Sequence, residues 1–161
     1  MNVALLPGTY DPVTVGHLDV IARCSAMFDD VVVAVVDDSF RKSVLFNTDE
    51  RVLFLEHSTK DLSNVYVRVM RGLVVDVARE VGAHVLVKGL RAVTDFEYEF
   101  QLAMMNRRLE PAIETVFLMT GLRWVFLSSS ILKEAAVHGG DIEGMVPENV
   151  FRKLREKFSR G

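Results

Sequence analysis

Thiol chemistry is nearly missing from this chain: Cys24 is its one cysteine, so no internal disulfide can form. Set amid a helical pattern, that thiol reads as packing. An excess of basic charge is missing as well. The formal net charge of −3 argues against a general nucleic-acid binder, which usually presents a basic face. It leaves room for a small anionic ligand, which needs only a local cluster of cations in a cleft. No apolar run approaches the ~20 residues of a membrane span, and Met1-Asn2-Val3-Ala4-Leu5-Leu6-Pro7 lacks the basic start and long apolar stretch of a signal peptide. The expected location is therefore the cytoplasm, with no membrane partner. His57, His84 and His138 show no metal-ligand spacing, and there is no repeat, low-complexity tract or linker. One domain over residues 1–161 is expected.

What the chain has is alternation. Residues 3–6 form a short apolar run ended by Pro7-Gly8, and residues 31–36 are six of Val and Ala; both read as buried strands. Between them Leu18, Ile21, Ala22, Ser25 and Phe28 repeat at helical spacing, which makes a βαβ unit. A helix is predicted from about Thr48, with Asn47 as its cap and Glu50 as the reciprocal partner. Residues 64–70 supply a third strand, and Leu73, Val74, Val77, Ala78 and Val81 a helical stripe stopped by Gly82. Residues 85–87 give a fourth strand, 95–109 a helix and 115–119 a fifth strand. A helix capped by the 128–130 serines stops at Gly139-Gly140, and a last amphipathic helix, about 147–158, starts at Pro147.

Five strands separated by helices imply an α/β fold: a single doubly wound, Rossmann-like domain with a five-stranded parallel sheet, expected in the order 3-2-1-4-5. Ligands of such sheets sit beyond the carboxyl ends of the strands where strand order reverses, here between the first and fourth. The loops to watch are 7–17 and 88–95.

The first loop reads Pro7-Gly8-Thr9-Tyr10-Asp11-Pro12-Val13-Thr14-Val15-Gly16-His17. Two prolines and two glycines fix its path, Thr9 offers a hydroxyl, and His17 stands in the opening turn of a helix, where backbone N–H groups and the helix dipole favour phosphate. Gly16 removes the side chain that would hold a base or phosphate off the backbone. The dipole disfavours an imidazolium there and phosphates favour one, so both charge states of His17 remain open.

Thr14-Val15-Gly16-His17 matches the T/H-x-G-H signature of the nucleotidyltransferase superfamily, and Leu127-Ser128-Ser129-Ser130-Ile131-Leu132-Lys133 resembles its second signature, I-S-S-S/T-x-x-K/R. Lys88-Gly89-Leu90-Arg91-Ala92-Val93-Thr94-Asp95-Phe96-Glu97-Tyr98-Glu99 is similar to the K/R-G-L-R-x-x-x-D-F-E-Y-E block of the bacterial phosphopantetheine adenylyltransferase family. The likeness runs essentially end to end and includes Pro147-Glu148-Asn149-Val150. Three departures stand out: Tyr10 where Phe is usual, Lys88 where many members carry Arg, and Thr120-Gly121-Leu122-Arg123 in place of a loop of smaller residues.

The resemblance implies transfer of an adenylyl group from ATP to 4'-phosphopantetheine, giving dephospho-coenzyme A and pyrophosphate. It implies that Thr9 binds the phosphates of both substrates and that His17 stabilises charge growing on the α-phosphate. Lys42 and Lys88 match cations for the acceptor phosphate, and Val74 a contact along the pantetheine arm. Tyr10, Gly89, Leu90, Arg91 and Glu99 match the ATP site, as do Trp124, Val125, Phe126, Leu127, Ser128, Ser129 and Ser130. Mg²⁺ accompanying ATP and a homohexamer are implied too.

Taken alone, several of these features have plainer readings. Lys42 beside Arg41 is a solvated loop pair, the three serines are a helix cap, and Arg91 with Glu99 is a structural ion pair. Phe100, Met104 and Met105 read as core or subunit contacts, although Met105 and Asn106 could face the pantetheine arm. A transferase acting on nicotinate mononucleotide shares the two signatures but not the 88–99 block. A regulatory module that binds ATP without transfer would not need His17 with two lysines, and a scaffold whose apolar helices serve only assembly would need none of the three motifs.

Overall fold

The computed structural model describes residues 2–37, 44–91 and 93–159. The strands are β1 (Val3–Gly8), β2 (Asp30–Val36), β3 (Val65–Met70), β4 (Val85–Leu90) and β5 (Glu114–Met119). The helices are α1 (Val15–Met27), α2 (Thr48–Thr59), α3 (Val74–Val81), α4 (Val93–Leu109), α5 (Ser129–Val137) and α6 (Glu148–Phe158). All strand pairs are parallel, and the five-stranded sheet has the expected order β3-β2-β1-β4-β5.

The chain steps from β1 outward to β3, crosses back to β4 and steps out to β5. Right-handed crossovers then put α1 and α2 on one face and α3 and α4 on the other. The strands supply both cores by their period of two. Ala4 and Leu6 of β1 and Val31, Val33 and Val35 of β2 pack with Ile21, Leu55, Leu132 and Leu154 from α1, α2, α5 and α6. Their neighbours Val3, Leu5, Val32 and Ala34 pack with Val75 and Ala78 of α3. Cys24 is fully buried in the first core, where burial pushes its thiol up to about 11, as befits an inert packing group.

Local signals set the element ends. The side chain of Asn47 accepts from the Glu50 N–H at 2.9 Å while the Glu50 carboxylate accepts from the Asn47 N–H at 3.0 Å, the reciprocal cap expected for α2. α3 ends on Gly82 at φ 68°, where a side chain would be strained. β1 runs on through Pro7 and Gly8, past the predicted stop, because its ladder with β2 continues to Gly8↔Val35. Its ladder with β4 covers only Ala4↔Val85 and Leu5↔Leu86. Beyond Leu5 one edge of β1 has no strand beside it, a setting that tolerates a residue without an N–H.

That early parting of β1 and β4 makes the cleft. β4 itself stays paired with β5 up to Leu90↔Met119, so the upper ends of β1 and β4 diverge as the walls of a notch at the point where strand order reverses.

Candidate active site

The notch holds a cleft of about 430 Å³, in the size range of small-molecule sites. Pro7 and Gly8 of β1 and Lys88 and Gly89 of β4 form its flanks, and His17, Arg91 and Ser128 to Ser130 close around it. Both loops singled out from the sequence contribute.

The β1–α1 loop is built to hold His17. Thr14 caps α1, its hydroxyl accepting from the His17 N–H at 3.3 Å. In return the Thr14 N–H donates to His17 Nδ1 at 3.0 Å. A histidine thus fills the place that Glu or Gln takes in the usual reciprocal cap. The consequence is chemical: Nδ1 is an acceptor and carries no proton, so the ring's N–H is on Nε2. Burial, helped by the charge of Arg91, pulls the imidazolium down to about 4, so His17 is neutral at physiological pH. In the absence of phosphate, burial favours the neutral one of the two charge states that the sequence left open.

Tyr10 braces the ring from the side. Its centroid lies 5.0 Å from that of His17 with the planes at 70°, an edge-to-face contact. Tyr10 adopts φ 51°, and its hydroxyl donates to the Leu6 carbonyl at 3.1 Å, which satisfies the extra group that distinguishes it from Phe. Burial pushes its phenol far up, so it stays a donor. Gly8 is required beneath it: a Cβ there would lie 2.9 Å from Tyr10 Cε2.

The cations at the cleft are held by carboxylates on α4. Lys88 Nζ lies 3.4 Å from Glu99 and Arg91 Nη2 lies 3.4 Å from Asp95. The Arg91–Glu99 pair considered from spacing is replaced by these two: Arg91, just after β4, pairs with Asp95 in the first turn of α4 and also donates to the Leu127 carbonyl at 3.0 Å. On the opposite lip, Ser128 caps α5 by accepting from the Ile131 N–H at 3.1 Å, and Ser129 Oγ donates to the Pro12 carbonyl at 2.8 Å. Only Ser128 is therefore the cap that three serines suggested.

Other expected residues lie farther out. Thr9 is exposed and does not wall the cleft, although its carbonyl accepts from Arg51 at 2.8 Å. Trp124 ends a 3-10 turn (Leu122–Trp124) near Gly16, with the Arg123 guanidinium 4.7 Å above its ring. Val125 and Phe126 are exposed and outside the wall, and Leu90 ends β4 just beyond Gly89. Val74, in the first turn of α3, packs against the second core. Lys42 lies outside the described residues.

Sequence reasoning missed Thr120, buried in the cleft wall, and two buried charges, Asp11 and Arg51. The Arg51 guanidinium donates to the carbonyls of Thr9, Val36 and Phe46 at 2.8, 2.9 and 3.1 Å. Nothing in the α2 sequence distinguishes it from a solvated arginine. Among the described residues no three His, Cys, Asp or Glu side chains cluster so as to hold a metal ion.

The arrangement supplies a neutral N–H donor, two cations and serine hydroxyls around one cleft, and its histidine is spent as an acceptor on Thr14. It suits the stabilisation of phosphate charge. A family model described as cytidylyltransferase-like matches residues 5–135. Proteins named phosphopantetheine adenylyltransferase from Desulfosudis oleivorans and Rubrobacter xylanophilus are each 52% identical to this chain, over 98% and 99% of it and 94% and 97% of their own lengths. One from Dictyoglomus thermophilum is 48% identical over 98% of this chain and 96% of its own. Among solved structures, one from Vibrio parahaemolyticus, assigned by name and provisionally to the nicotinate-nucleotide adenylyltransferases, superposes with a TM-score of 0.71. It covers 98% of this chain and 93% of its own at 18% identity, a likeness of fold.

Proposed function

The chain belongs to the phosphopantetheine adenylyltransferases of the cytidylyltransferase-like family, and on that premise we propose that it catalyses reversible adenylyl transfer from ATP to 4'-phosphopantetheine. The observation that carries the chemistry is the neutral His17, with its N–H on Nε2, at a cleft flanked by Lys88, Arg91 and the α5 serines. A phosphate oxygen of phosphopantetheine, already ionised, attacks the α-phosphorus of ATP. The bond from that phosphorus to the bridging oxygen breaks, and pyrophosphate leaves with the electron pair. No proton must be removed from the nucleophile, so a general base has no task. What the reaction needs is relief of repulsion between two anions and a donor to the oxygens of the five-coordinate phosphorus.

In this reading Nε2–H of His17 donates to an α-phosphate oxygen, most strongly in the transition state. Lys88, with Lys42 and Thr9, receives the acceptor phosphate, and Val74 lines the path of the pantetheine arm. Gly89 to Arg91, Glu99, Tyr10 and the 124–130 stretch surround ATP. Mg²⁺ accompanying ATP would be held mainly through the nucleotide's phosphates and would neutralise charge there, since Asp95 and Glu99, the carboxylates lining the cleft, face Arg91 and Lys88. The whole chain, 1–161, acts as one nucleotidyltransferase domain with α6 packed on it.

A homohexamer fits the apolar side chains that α4 leaves exposed away from the cleft, Phe96, Phe100 and Met104 along one side and Met105 beyond them. No described helix is long and apolar enough to cross a membrane. The cytoplasm is the compartment proposed, with neither nucleic acid nor membrane as partner. Pyrophosphate release across a panel of acceptor phosphates, with ATP and CTP, tests the reading. Turnover is expected with ATP and phosphopantetheine, and comparable kcat/KM with nicotinate mononucleotide would overturn it.

A further inference from the structure

Asp11 is 3% exposed and outside the cleft wall, yet its carboxylate joins three separate segments. Oδ2 accepts from the Leu45 N–H at 2.8 Å and from Lys133 Nζ at 2.9 Å, and Oδ1 accepts from the Phe46 N–H at 2.9 Å. The β1–α1 loop, the chain leading into α2 and helix α5 therefore meet at one buried charge. Lys133 is the cation of the second signature, one turn beyond Ser129, and it does not wall the cleft; its ammonium is committed to Asp11. The next residue of the loop, Pro12, receives the Ser129 hydroxyl at 2.8 Å. α5 is thus bonded to consecutive residues of the loop that carries Tyr10, and Tyr10 braces His17.

We infer that Lys133 and the buried Asp11 form a latch that positions the serine-bearing start of α5 against the β1–α1 loop, so that Lys133 serves the reaction through Asp11 and not as a phosphate ligand. The inference rests on the adenylyl-transfer reading for its kinetic consequence and on the bonds above for its geometry. A buried carboxylate whose ammonium partner is removed keeps its charge in a poor solvent, and the groups around it must rearrange. The serines and His17 line one cleft, so a displacement of about 1 Å between them costs on the order of 10²-fold in rate.

The test uses Lys133→Met, Lys133→Arg, Asp11→Asn and the Asp11→Asn/Lys133→Met double variant of the full chain, with steady-state pyrophosphate release and amide hydrogen exchange at Leu45 and Phe46. Lys133→Met should lower kcat by about 10–100-fold with ATP KM changed little, and Lys133→Arg should recover most of the rate. The double variant should be no worse than the poorer single one. Exchange at Leu45 and Phe46 should quicken in Lys133→Met, although Lys133 touches neither amide. A defect confined to ATP KM, or losses that multiply in the double variant, would identify a direct phosphate ligand and overturn the latch. If Asp11→Asn does not fold, the two Lys133 variants decide. If the wild type releases no pyrophosphate, the adenylyl-transfer reading falls by itself, and the latch stands or falls on amide exchange in Lys133→Met.

Discussion

Replacing His17 separates its two jobs. The ring accepts the Thr14 N–H through Nδ1 and, in the proposed reaction, donates to the α-phosphate through Nε2. His17→Ala removes both. Loss of the reciprocal cap is worth about 1 kcal/mol, and loss of the edge contact with Tyr10 about 1 kcal/mol more. For a chain of this size that total lowers Tm by roughly 4–8 °C. Loss of a transition-state donor is a larger and different effect, about 10²–10³ in kcat or roughly 3–4 kcal/mol of barrier. His17→Gln divides the two, because Gln is a standard partner in a reciprocal cap while its short amide cannot both accept from Thr14 and reach where Nε2 reaches. The expected pattern is a Tm partly restored in His17→Gln with kcat still far below wild type, and ATP affinity within a few-fold of wild type in both. Differential scanning fluorimetry, single-turnover kinetics and a separate ATP-binding isotherm provide the three readouts. Recovery of kcat in step with Tm would show that the cap alone explains the defect, and an intact kcat in His17→Ala would remove His17 from the chemistry.

Long-range ¹H–¹⁵N spectra should show His17 as the Nε2–H tautomer with a titration midpoint near 4; a midpoint near the unperturbed 6.5 would contradict the buried, neutral ring. Between those two values the unfolded chain binds a proton that the folded one refuses, so this histidine's contribution to stability is level above 6.5 and declines as pH falls toward 4, which pH-dependent denaturation measures. Gly8→Ala should cost about 1–3 kcal/mol in urea denaturation, because its Cβ meets the Tyr10 ring at 2.9 Å, and kcat should fall as the ring leaves His17. Lys88→Ala should raise KM for phosphopantetheine by about 10–100-fold and Lys88→Arg should keep much of the activity; equal KM in Lys88→Ala and wild type would leave Lys88 as no more than the partner of Glu99.

The fold was legible because its signals are local and repeated. Runs of Val and Ala, helical stripes and caps such as Asn47 with Glu50 act within a few residues, and a strict alternation of strand and helix leaves few topologies once crossovers must be right-handed. The predicted end of β1 fell short because Pro7 and Gly8 are turn residues by propensity. What overrides them is tertiary: β2 remains alongside after β4 has departed. The reversal of strand order between β1 and β4 alone sets the position of the cleft.

The residue types that line the candidate cleft were legible in part, and their partners were not. Arg91, Asp95, Lys88 and Glu99 stand close together in sequence, so several pairings satisfy the spacing, and only the path of β4 into α4 assigns Lys88 to Glu99 and Arg91 to Asp95. His17 was found by its motif, but its neutrality follows from burial and from an acceptor role toward Thr14 that no linear pattern encodes. Asp11 and Arg51 lay deeper still. Each is buried among groups drawn largely from other segments: the N–H groups of Leu45 and Phe46 and the Lys133 ammonium for one, the carbonyls of Thr9, Val36 and Phe46 and the Thr48 hydroxyl for the other. Backbone partners leave no mark at any fixed spacing, and Lys133 lies 122 residues from Asp11, so a linear pattern does not expose these contacts. The same fact makes these two residues the joints of the site. Phe46 offers its N–H to Asp11 and its carbonyl to Arg51, so the chain leading into α2 is gripped from both sides at one residue, and the loop that carries Tyr10 and His17 is fixed with it.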